Sequence, residues 1–120
     1  MARPNNRSRI STRQLPLGIR IEPEFITEQM ERELVTELER HHFRRYNHRS
    51  MLQFGKIVDF KKLSILPEPV ETPHSIRHVQ ARIEAITNEA YDQVTCNHYR
   101  IGDCIPFHVD HDRLYGLSGM

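Results

Sequence analysis

The sequence predicts an α+β domain in which two helices pack on one side of a small, mostly antiparallel sheet. Three observations carry that expectation. Ile76, Val79, Ile83 and Ile86 recur at spacings of three, four and three, which is one stripe of a helix. Met30, Leu34 and Leu38 fall at i, i+4 and i+8 and make a second stripe, with Val35 beside it. Gln93–Arg100 alternates instead: Val94, Cys96 and His98 share one side, and Thr95, Asn97 and Tyr99 the other. At 120 residues the chain has room for one domain.

The elements follow in order. Residues 1–14 are rich in Arg, Asn and Ser with one large aliphatic, Ile10, and are expected to be a disordered basic tail. The same acid-free composition occurs in transit peptides, but the apolar face here is too sparse for one. Order is expected from Leu15. Leu17–Ile21 reads as a short strand stopped by Pro23. Thr27 can cap a helix over 27–41, with Glu28 in the first turn, where the helix dipole favours carboxylates. Glu31, Glu33, Glu37 and Glu39 fall on its water side. Met51–Gly55 and Lys56–Phe60 read as a strand pair or one bent strand, with Gly55 a bulge or turn. Pro67, Pro69 and Pro73 make 61–74 a loop. The second helix covers 75–90. A turn at Gly102-Asp103 leads from the 93–100 strand into another strand, Ile105–Asp110. Leu114–Met120 carries no pattern of either period.

Charge is arranged in blocks. The formal net charge is +1, yet residues 1–20 carry +5, 21–39 carry −6, 40–62 carry +6 and 63–120 carry −4. Net charge therefore points to no partner, while the basic blocks do. No apolar run exceeds two residues, against the roughly 20 that a membrane span needs. Cys96 and Cys104 are too few for a disulfide framework or a structural zinc site and read as free thiols. With no leader pattern at the N-terminus, an intracellular placement, nuclear or cytoplasmic, is expected.

The chemistry concentrates in Asn97–Asp110. On a strand, His108 and Asp110 project to one side, where one imidazole nitrogen and one carboxylate can share a cation. Two histidines and a carboxylate on one side suit Fe(II) and leave positions open for a cosubstrate and oxygen. A His-x-Asp tripeptide alone is common. Here it is accompanied by Asn97, Tyr99, Gly102 and Ile105 in the pattern N-x-Y-x-x-G-x-x-I-x-x-H-x-D.

This pattern resembles the AlkB family of Fe(II)/2-oxoglutarate-dependent dioxygenases. Less specific likenesses extend outward: Leu17–Thr27 followed by a helix, Arg49–Gly55 as R-x-x-x-x-F-G, and Tyr115-Gly116 where the family often has Phe-Gly. The resemblance implies a jelly-roll-like double-stranded β-helix. It makes His108 and Asp110 iron ligands, and Asn97 and Tyr99 contacts to 2-oxoglutarate. The implied activity is oxidative demethylation or hydroxylation of alkylated nucleobases in DNA or RNA.

The family pattern also needs a distal His ligand and an Arg that pairs with the far carboxylate of 2-oxoglutarate, a bidentate task that Lys performs poorly. The chain has ten residues after Asp110 and neither group stands among them at the expected spacing. Residues 15–120 thus look like an AlkB-like domain whose C-terminal part is missing, with an incomplete β-helix and no turnover of its own. His111 is the nearest further imidazole, but it points to the opposite side if the strand continues. The alternative is a catalytically silent fragment or relative that binds nucleic acid or protein.

The block 40–62 interleaves cations with Phe43, Tyr46, Phe54 and Phe60. Cations for a phosphate backbone plus aromatics for stacking suit a single strand or a flipped base. Arg44, Arg45, Arg49, Lys56, Lys61 and Lys62 are the expected nucleic-acid contacts.

Overall fold

The structure is a computed structural model that describes residues 16–110. The expected tail at 1–14 and the unpatterned stretch 114–120 lie outside the described residues. Two helices and five strands follow in the order α1 (Glu28–Glu39), β1 (Arg44–Tyr46), β2 (Arg49–Gly55), β3 (Val58–Asp59), β4 (Ser64–Ile65), α2 (His74–Thr87) and β5 (Gln93–His98). The α+β class is as expected.

Helix α1 begins where Thr27 Oγ1 accepts the Met30 N–H at 3.1 Å, and Glu28 and Glu31 occupy the first turn. Its last turn tightens through bonds from Arg40 N–H to the Glu37 carbonyl and from His41 N–H to Leu38. Met30 is its buried residue. Helix α2 packs alongside, and Arg82 bridges them by lying over the Phe25 ring at 5.1 Å and donating to Met30 Sδ. Asn88, in the left-handed conformation, ends α2. The isoleucine stripe of α2 is covered only in its first half. Ile76 is 4% exposed and Val79 half-buried, while Ile83 and Ile86 are 38% and 45% exposed.

β2 is the middle strand of a three-stranded antiparallel sheet ordered β1-β2-β5. A two-residue turn, Asn47-His48, links β1 to β2, and Asn47 takes the positive φ such turns need. Burial along β2 marks Met51 and Phe54, three residues apart and hence on opposite sides of the sheet. Phe54 meets the His41 ring edge-on at 5.1 Å, just beyond α1. On the other side, Gln53 donates to the Val58 carbonyl at 3.1 Å and accepts the Val58 N–H at 2.8 Å, holding the β3–β4 hairpin there. Gly55 ends β2 at φ +73, bonded in both directions to Val70.

Three local expectations are corrected. Leu17–Ile21 is not a strand: the chain turns through Gly18 at φ +91, with Leu17 fully exposed, and among the described residues no neighbouring strand offers a ladder. Lys56–Phe60 does not pair with β2. Val58–Asp59 pairs with Ser64–Ile65, inside the stretch expected to be loop, because Asp59 accepts the Lys61 and Lys62 N–H groups and folds the chain back within four residues. Ile105–Asp110 is not a strand either. Its apolar positions alternate as expected, but no ladder forms along it, and Phe107 and Val109 lie open to water. Among the described residues no helix is long and apolar enough to cross a membrane.

Candidate metal and cofactor site

β5 places Asn97 opposite Met51, on the sheet side that also carries Gln53, Gln93 and Thr95. Gln93 Nε2 donates to Gln53 Oε1 and to Thr95 Oγ1, each at 2.8 Å, so this side is a polar network continuous across β2 and β5. Val94 and Cys96 sit on the opposite side with Phe54, where burial pushes the Cys96 thiol up. His98 shares that side and meets the Phe43 ring at 5.9 Å. Tyr99 lies one residue past the end of β5 and is exposed.

After β5 the chain closes a turn. Asp103 Oδ2 accepts the Arg100 N–H at 2.8 Å, the Asp103 N–H donates back to the Arg100 carbonyl at 2.9 Å, and Gly102 takes φ +90. Arg45 of β1 grips the same carboxylate through both terminal nitrogens, at 2.7 and 2.6 Å. That guanidinium, together with the Arg100 N–H, holds the Asp103 carboxyl well below the usual carboxylate range. The Cys104 N–H then donates to the His48 carbonyl at 3.1 Å.

His108 and Asp110 come together without a strand. His108 Nδ1 lies 2.9 Å from the Pro106 carbonyl, and His108 Nε2 lies 3.2 Å from Asp110 Oδ1. A carbonyl can only accept, so Nδ1 carries a proton. Nε2 then faces the carboxylate either protonated, as an imidazolium ion pair, or with a bare lone pair. Two lone pairs at that distance repel unless a cation lies between them. A histidine whose other nitrogen donates to a carbonyl has the tautomer common among metal ligands. Among the described residues no third His, Cys, Asp or Glu joins this pair, and no hydrogen bond or ion pair links it to Asn97 or Tyr99.

The chain matches no family model, no curated protein and no solved structure.

The expected nucleic-acid contacts divide by environment. Arg44, Lys61 and Lys62 are exposed. Arg49 lies over the Tyr46 ring at 5.2 Å, with its Nε buried and unpartnered, and Tyr46 in turn meets Phe60 at 5.4 Å. Arg45 is held by Asp103, and Lys56 reaches Asp92 at 2.7 Å. Sequence reading missed the Arg45–Asp103 and Gln53–Gln93 contacts. Each joins residues 40 or more positions apart, and only the turn residues Gly102-Asp103 marked where one of them ends.

Proposed function

We propose that this chain carries the first part of an AlkB-like Fe(II)/2-oxoglutarate-dependent dioxygenase core that oxidises alkyl groups on nucleobases of DNA or RNA. The supporting observation is the His108–Asp110 pair, with Nδ1 committed to a carbonyl and Nε2 turned to the carboxylate. It stands inside the N-x-Y-x-x-G-x-x-I-x-x-H-x-D pattern. In this reading His108 Nε2 and Asp110 hold Fe(II), and Asn97 and Tyr99 hydrogen-bond a 2-oxoglutarate carboxylate from the polar side of the sheet. The bound metal supplies the oxidising chemistry; the protein supplies ligands and orientation. The reading assigns the third ligand and the carboxylate-binding Arg to sequence beyond Asp110, and places the jelly-roll completion there as well. Arg44, Lys61 and Lys62 around the Tyr46–Phe60 rings suit the phosphate backbone and bases of a single-stranded segment.

The test is succinate formation from 2-oxoglutarate with Fe(II), by the 120-residue chain and by a longer product carrying a downstream His and Arg. The longer product is expected to turn over and to lose turnover with His108→Ala, while the short chain stays silent. A longer product indifferent to His108→Ala would defeat the reading. Turnover by the short chain would mean that a third ligand, His111 first, is already present.

A further inference from the structure

We propose that Arg45 is a positioning residue for this site: its grip on Asp103 sets the path by which the chain leaves β5 and so fixes where His108 and Asp110 stand relative to Asn97. The inference rests on the ligand reading of His108 and Asp110 given above.

Arg45, Ser50 and His98 are in register and form one row across the sheet, at the end where the β1–β2 turn lies and β5 stops. The chain that leaves β5 is folded back onto that row. The Asp103 carboxylate closes the turn on itself through Arg100 and is clamped to β1 through Arg45. A planar guanidinium meeting both carboxylate oxygens fixes orientation as well as distance. Here the Asp103 side chain is 8% exposed and accepts from three donors, while the Arg45 side chain is 42% exposed. The Cys104 N–H adds a second tie to the β1–β2 turn. Beyond Cys104, among the described residues, no hydrogen bond or ion pair joins 105–110 to the sheet, and the contacts of His108 are local. Three residues separate Cys104 from His108. The latch and the adjacent Cys104 tie are therefore the last polar anchors before the ligands, and the Arg45 guanidinium is engaged in the first of them.

The experiment measures two quantities on the 120-residue chain and its variants: amide hydrogen exchange along residues 93–110, and the Mn(II) dissociation constant, with Mn(II) as the probe. Arg45→Ala is expected to speed exchange at Asp103 and Cys104, whose N–H groups are hydrogen-bonded, at least about tenfold and to weaken Mn(II) binding about tenfold, the low end for supporting residues around a metal. Exchange in α2 should not change, which separates loss of the latch from loss of the fold. Arg45→Lys, which keeps charge but not the fork, should recover only part of both effects. Unchanged exchange at Cys104, or unchanged Mn(II) affinity in Arg45→Ala while His108→Ala abolishes binding, overturns the positioning role alone. Mn(II) binding that is absent, or indifferent to His108→Ala, overturns the ligand reading and the positioning role with it.

Discussion

Phe54 and Phe107 both sit in stretches that the sequence predicts to be strands, yet Phe54 is 1% exposed and Phe107 fully exposed. Phe54 lies on β2, which has a hydrogen-bonded neighbour on each side, the His41 ring against its edge, and the β3–β4 hairpin over its other side. Phe107 lies where, among the described residues, no strand runs alongside. The difference shows that a β-period pattern buries nothing alone. It needs an adjacent edge to satisfy the backbone and a second layer to cover the side chains. The region from α1 to β5 has both. The segment after β5 has a latch at its root and local contacts beyond it.

Substitutions can break or sharpen that contrast. The largest expected effect is Phe54→Ala, which should cost about 3–5 kcal/mol, whereas Phe107→Ser should stay within about 0.5 kcal/mol. Urea melts of the two variants make the check, and equal losses would show that 105–110 is buried in solution. Next is Gly55→Ala. Its φ of +73 is costly for any other residue, and an added Cβ would overlap the Asp92 carbonyl, so about 2–4 kcal/mol should be lost in the same melts. Thr27→Ala removes the α1 cap and should cost about 1 kcal/mol.

The last prediction concerns the latch and is expected to be the smallest in stability. The Asp103 carboxyl is held below its ordinary value in the folded chain, so its contribution is present above the unfolded value of about 3.9 and fades as pH falls through that value toward the folded one. Thermal melts of the native chain and Asp103→Asn should differ by a constant amount near pH 6. They should converge progressively below about pH 4. A difference that grows on acidification would reverse the assigned sign.

Part of this architecture was legible in order along the chain. The Met30 and Ile76 stripes, the Thr27 cap and the side alternation of β5 follow from 3.6- and 2-residue periods, which are properties of short stretches. Val35, Ile83 and Ile86 match the same helical period and remain exposed, because the period says which residues share a face, not how far the opposing layer reaches. Of the candidate site, His108 and Asp110 were legible as neighbours and do meet. The route was different, since a carbonyl contact within a coil replaces the expected strand. Arg45 reads from sequence as one cation in a basic block, and only the structure shows its bidentate pairing with Asp103.

The sequence by itself determined the two helices, the β2 and β5 strands, the polar side bearing Thr95 and Asn97, and the closeness of His108 to Asp110. Those are local properties, set by backbone period, capping and turn chemistry. The tertiary structure alone decided that β2 is central, that Val58–Asp59 pairs forward rather than back, that 105–110 lacks a ladder, and that Arg45 belongs to Asp103. The place of β2 and the Arg45–Asp103 pair depend on contacts between distant residues, whose free energy exists only once the chain has brought them together.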